Sequence, residues 1–128
     1  MNREEYNKIS KQLLDSAITV HKEMGPGLVE SVYEHCLIKE LRLRNFNVQN
    51  QVIVPLYYKK YKLDKNYIID VLLEKKIVIE IKAVETILPV HEAPIISYLK
   101  LTNKKLGFLI NFNVPLLKNG FKRFVNNF

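Results

Sequence analysis

The apolar positions of this chain change their spacing near residue 45, dividing it into a helical first third and a strand-rich remainder. Tyr6, Ile9, Leu13, Leu14, Ala17, Ile18 and Val20 recur at helical spacing. Asn2 is placed to cap that helix, with Glu5 three residues on to complete a capping box, and the pattern runs to about Met24. The tripeptide GPG at 25–27 breaks it. Val29, Val32, Tyr33, Cys36, Leu37 and Leu41 then predict a second helix over residues 28–44.

From residue 46 the texture is that of strands. FNVQNQVIVPLYY alternates, KKYKLDKN reads as a polar connection, and YIIDVLL and IVIEIKAV read as two strands joined by a tight turn at EKK. LPVHEAPIISYLKLT predicts a third helix, starting at Pro94 if that proline occupies the first turn. LGFLINF predicts a further buried strand, and the final LLKNGFKRFVNNF fits either strand or helix. No repeat, low-complexity tract or linker interrupts the chain. The expected fold is a single α/β domain over residues 1–128, a mixed β-sheet flanked by helices.

Composition narrows the setting. At 48% hydrophobic and 26% charged the chain suits a folded globular protein. No apolar run approaches the roughly 20 residues of a membrane span. The N-terminal MNREEYNKISKQ lacks the apolar core of a signal peptide. One cysteine, Cys36, precludes an internal disulfide and points to a cytoplasmic location. The net charge is +7, and residues 86–128 carry six basic side chains against Glu92 alone. Such a balance favours a polyanionic partner, nucleic acid ahead of an anionic membrane. Surplus lysines also serve solubility.

The candidate chemistry lies in NYIIDVLLEKKIVIEIKAVE, where Asp70, Glu80 and Lys82 interrupt two otherwise apolar strands. Strand alternation turns Glu80 and Lys82 to one face, and a hairpin at EKK brings Asp70 beside Glu80. Two carboxylates meeting beside a lysine are costly to bury without compensation. A hard divalent cation such as Mg²⁺ supplies it, and the lysine can then act on a metal-associated water. The same spacing also fits an acid–lysine pair at a sheet edge. Other chemistry finds little support: His21, His35 and His91 are scattered, Cys36 has no partner at zinc-ligand spacing, and no phosphate-binding glycine loop is present. His91 and Glu92 precede the third helix, where they fit a surface loop ahead of a place lining the cleft. Lys100, Lys104, Lys105, Lys122 and Arg123 are available to phosphates.

Asp70 followed by Glu80-Ile81-Lys82, between helices, resembles the PD-(D/E)XK nuclease superfamily, with Ile69 where the motif's proline would stand. Gly27-x-x-Glu30-x-x-Tyr33 resembles the signature of the GxxExxY proteins within that superfamily. VIEIKAV, SYLKL, LGFLINF and NGFKR resemble that family's later blocks, in order, from about Asp15 to Val125. The resemblance implies a restriction-endonuclease-like core. It implies Mg²⁺ or Mn²⁺ held by Asp70, Glu80 and the Ile81 carbonyl, with Glu30 approaching the metal and Lys82 near the attacking water. Tyr98, Lys100 and Arg123 would contact nucleic acid. Glu34, one helical turn after Glu30, shares its face, although both also fit solvated helix glutamates. Tyr33 fits core packing as well as a functional role.

One departure is informative. The family usually carries Gln four residues before the tyrosine of SYLK, and this chain has Pro94 there. The expected activity is therefore metal-dependent hydrolysis of nucleic-acid phosphodiesters, with a catalytically weak or inactive nucleic-acid-binding protein on the same fold as the alternative. DNA is the first candidate substrate. A chain this small leaves little surface for recognition, so a homodimer or partner protein is also expected.

Overall fold

The computed structural model describes residues 1–128 throughout. Helix α1 (Arg3–Met24) starts where Asn2 Oδ1 accepts the Glu5 N–H at 2.8 Å; the return half of a capping box does not form. It ends at Gly25, whose φ of 72° is left-handed backbone open to glycine. Tyr33 closes the loop that follows: its hydroxyl donates to the Gly25 carbonyl and accepts the Leu28 N–H. Its buried ring stacks on Phe112 at 4.7 Å between centroids. Helix α2 (Glu30–Leu43) therefore starts from a clamped loop, with Glu30 at its first position.

Five strands follow, with helix α3 (Pro89–Leu101) and a short 3₁₀ turn (Leu117–Gly120) among them. They are β1 (Val48–Tyr58), β2 (Tyr61–Leu73), β3 (Ile77–Lys82), β4 (Leu106–Asn111) and β5 (Phe121–Val125). They lie side by side in chain order, and all neighbours are antiparallel except β3 and β4, which α3 connects in parallel. Helices α1 and α2 cover one face, packing Leu13, Leu37 and Leu41 on Ile77, Ile79, Ile81 and Phe108. Helix α3 covers the other, with Ile95 and Leu99 on Val78 and Leu72. Burial on both faces explains why β3 is apolar at four of its six positions. Each such fully buried aliphatic contributes about 2 kcal/mol.

Three expectations change. KKYKLDKN is not a connection: only Lys59 and Lys60 turn, and β2 begins at Tyr61, making one long hairpin with β1. Lysines can hold strand geometry there because residues 57–68 are solvent-exposed throughout, so no burial pattern marks them as strand. Helix α3 begins at Pro89, not Pro94. Proline at the first position sacrifices no hydrogen bond, and His91 Nδ1 accepts the Leu88 N–H at 2.9 Å to cap the turn. Pro94 sits inside the helix, where it has no N–H to donate to the carbonyl four residues before it. His91 and Glu92 thus belong to the helix rather than a preceding loop. The ambiguous tail resolves into both the 3₁₀ turn and β5.

The tail returns to the sheet through Gly120, where an added Cβ would lie 2.1 Å from the Asn111 carbonyl oxygen. Gly120→Ala is expected to destabilise the protein by about 1–3 kcal/mol, the usual effect of overpacking. Urea denaturation of the two proteins checks this, as a lowered midpoint with an unchanged slope.

Candidate active site

The site forms where β2 and β3 part. Their ladder pairs Leu73 with Ile77, Leu72 with Val78 and Val71 with Ile79, then stops. The next residues on each strand are Asp70 and Glu80. Their carboxylates take over from the ladder: the Asp70 N–H donates to Glu80 Oε1 at 3.3 Å, and the Ile81 N–H donates to Asp70 Oδ2 at 2.9 Å. On the other side of β2 the pairing with β1 skips Gln51, which has φ 53°, opposite Asp70. Asn50 Nδ2 donates to the Asp70 carbonyl at 3.1 Å instead. Ile69 packs on the α3 side of the sheet and Val71 on the α1–α2 side, a switch that strict alternation forbids. Both backbone polar groups of Asp70 are thus served by side chains, and the peptide is free to leave the regular strand.

Burial sets the electrostatics. Glu80 is only 5% exposed. Desolvation first, and the neighbouring Asp70 charge second, push its carboxyl up to about 9; Lys82 opposes this weakly. At neutral pH Glu80 therefore favours its protonated form. Tyr98 of α3 packs beside them, 7% exposed and edge-on to Tyr67 at 5.3 Å. Its phenol is pushed up to about 12, by burial foremost and then by Glu80, Asp70 and Tyr67.

Lys82 ends β3 half-buried, its Nζ 4.0 Å from Glu30 Oε1 at the start of α2. The strand end is fixed by the Phe112 N–H donating to the Lys82 carbonyl at 2.9 Å. Buried Asn111 pins the next loop: Oδ1 accepts the Val84 N–H at 3.0 Å and Nδ2 donates to the Val84 carbonyl at 2.9 Å. Glu34 lies beyond Glu30, its Oε2 accepting the amides of Asn50 and Gln51 at 2.8 Å each.

Asp70, Glu80, Ile81, Lys82 and Tyr98 are therefore brought together. Glu30 is near but pairs with Lys82 rather than joining the carboxylates. Lys100 is exposed two residues past Tyr98, about 200° around the helix, and turns away. Arg123 is remote. It lies on β5, paired with Phe108 of the α1–α2 face, and reaches Asn7 Oδ1 at 3.2 Å and the Phe128 ring at 4.7 Å. Strand parity places it on the opposite face from Glu80. Lys122 is already paired, 2.7 Å from Glu92. Sequence patterning singles out neither Asn50, Gln51 nor Asn111. Their signal is weak: asparagine within a predicted strand is unusual.

The donor set suits a hard cation: two carboxylates at one point, a neighbouring backbone carbonyl at Ile81, and no sulfur or imidazole. No group of three or more His, Cys, Asp or Glu side chains lies close enough to hold an ion. The residues present therefore fit an ion that keeps several waters, as Mg²⁺ does, and not an all-protein cage.

The raised Glu80 carboxyl makes stability pH-dependent. The folded state keeps a proton that the unfolded chain releases above about 4.5, so this contribution is complete below that pH. It is lost as pH rises through about 9. Melting of the metal-free protein should fall by several degrees from pH 5.5 to 8.5, since about 1 kcal/mol moves Tm by ~4 °C at this size. Glu80→Gln, which keeps an acceptor for the Asp70 N–H, should flatten that slope in the same melting series.

Comparison with known proteins bears on this geometry. The sequence model of one family, described as the PD-(D/E)XK nuclease superfamily, matches residues 7–124. No curated protein matches the chain, and no solved structure matches it either. The three helices and five-stranded mixed sheet agree with a restriction-endonuclease-like α/β fold. With the match covering nearly its whole length, the chain belongs to the PD-(D/E)XK nuclease superfamily.

Proposed function

We propose that the protein is a single-domain, metal-dependent nuclease that hydrolyses nucleic-acid phosphodiesters, DNA in the first instance, with Asp70, Glu80 and Lys82 as its active-site core. The observation that carries this reading is the meeting of the two carboxylates where β2 and β3 part, with Lys82 two residues along the same strand. Asp70, Glu80 and the Ile81 carbonyl would hold Mg²⁺ or Mn²⁺, which would polarise a phosphate oxygen and acidify a bound water. Glu80, which burial keeps protonated in the metal-free protein, would have to release that proton to serve as a ligand. Glu30 draws the Lys82 ammonium to the mouth of the site, where it can orient a water or meet a phosphate. Tyr98 closes the α3 side and excludes solvent from Glu80. The Gly27–Glu30–Tyr33 spacing supports placing the chain among the GxxExxY proteins: Tyr33 clamps the loop from which Glu30 springs.

Pro94 favours a second reading, a weak or inactive nucleic-acid-binding protein. It stands one helical turn before Tyr98 and brings no hydrogen-bonding side chain to that position.

Cleavage of labelled single- and double-stranded DNA with Mg²⁺ or Mn²⁺ tests the two. Under the first reading the parent cuts, and Asp70→Asn, which loses a metal ligand, and Lys82→Ala, which loses the group positioned at the water, each lose at least about 10²-fold. Asp70→Asn keeps an oxygen for the Ile81 N–H, so its melting temperature should change little. A parent that is inert with both metals, and whose melting at pH 8 does not rise with added Mg²⁺, would remove the nuclease reading. Pro94→Gln should raise cleavage, measured by the same assay, if the proline is what weakens the site.

A further inference from the structure

The hairpin of β1 and β2 extends beyond the helices as a two-stranded arm. From the pair Pro55–Asn66, just past the residues that pack on α3, to the tip pair Tyr58–Tyr61 it runs about 10 Å at strand rise. Residues 57–68 are exposed without exception. An isolated two-stranded ribbon is marginal in water unless something covers a face of it. Its tip reads Tyr57-Tyr58-Lys59-Lys60-Tyr61-Lys62: three tyrosines, three lysines and no acid. The tyrosines are 61%, 63% and 73% exposed, and none of their rings stacks on another ring of the chain. Lys59 makes the tight turn at φ 56°, a conformation that asparagine or glycine adopts more easily, so the turn keeps a cation where a neutral residue would fit better.

The arm is joined to the site. Tyr67, on the same strand, packs edge-on to Tyr98, and Asp70 follows three residues later. We propose that the tip is a platform for single-stranded nucleic acid, its tyrosines stacking on unpaired bases and its lysines on the flanking phosphates. This deepens the nuclease reading and rests on its assignment of a nucleic-acid substrate. Base faces are available only in unpaired strands, and every base has one, so stacking of this kind is independent of sequence. A second copy fits less well. A two-fold contact would set one tip's three lysines against the same three of its partner.

Fluorescence anisotropy in EDTA, with a labelled oligothymidine and a duplex of equal length, tests the arm without any cleavage. The protein used is the full chain carrying Lys82→Ala. The expected result is tighter binding of the single strand. Replacing Tyr57, Tyr58 and Tyr61 together with Ser should weaken it at least about tenfold, the scale of one lost base stack. The corresponding Phe triple variant should bind as the parent does. Lys59→Gln, Lys60→Gln and Lys62→Gln together should reduce the slope of log affinity against log salt by about 2, at ~0.7 per phosphate contact. Equal binding of duplex and single strand, with no change in the Ser triple variant at unchanged melting temperature, would overturn the proposal. So would a dimer in sedimentation that the Ser triple variant abolishes, which would give the arm to a second copy. Loss of cleavage alone leaves these readouts untouched, so failure of the nuclease reading and failure of the arm are distinguishable.

Discussion

An exchange of backbone donors for carboxylates between two neighbouring strands holds this site open. Where β2 and β3 stop pairing, the Asp70 and Ile81 N–H groups would be left without partners in a buried sheet. An orphaned group of that kind costs about 1–3 kcal/mol. Glu80 and Asp70 remove the penalty by accepting those donors. The carboxylates thus have a structural role in their own right. The strands can separate only because acids stand at the point of separation, and the acids meet only because the strands separate there.

That arrangement carries its own opposing term. Glu80 lies between two covered sheet faces, and burial pushes its carboxyl to about 9. The protonated form relieves the repulsion with Asp70, at the expense of an unstable metal-free site as pH rises. A cation would reverse the balance, since it favours the ionised carboxylate that burial disfavours. The surroundings then act as braces. Tyr33 clamps the loop that launches Glu30, Asn111 ties the chain leaving Lys82, and Asn50 holds the Asp70 carbonyl. Each is an uncharged polar group; Tyr33 acts within its own loop, while Asn50 and Asn111 join segments 20 and 27 residues apart.

The molecule is uneven. Helices cover both faces of β3, while the hairpin tip has no cover on either side. Rigid packing and exposed aromatic surface therefore meet along β2, within the few residues that separate Tyr67 from Asp70. The Tyr67–Tyr98 contact joins the two, linking the root of the arm to the helix that packs beside Glu80.

Periodicity determined the helices, the strand order in the chain and the identity of β3, because burial on one face or two leaves a direct imprint on spacing. It also placed Asp70, Glu80 and Lys82 together, since a short turn and strand alternation fix their neighbourhood locally. It could not identify the hairpin arm, whose exposed lysines and tyrosines carry no burial signal. Proline's fit to a helix first turn pointed to Pro94 as a start for α3, whereas the helix starts at Pro89, capped by a histidine side chain rather than by the usual residues. Tertiary structure alone decided that Arg123 stands across the sheet from the carboxylates, that Lys100 turns away, and that Glu30 pairs with Lys82. The physical reason is the same in each case. Local spacing tells which way a residue faces within its own element, and only the packing of elements tells what it faces.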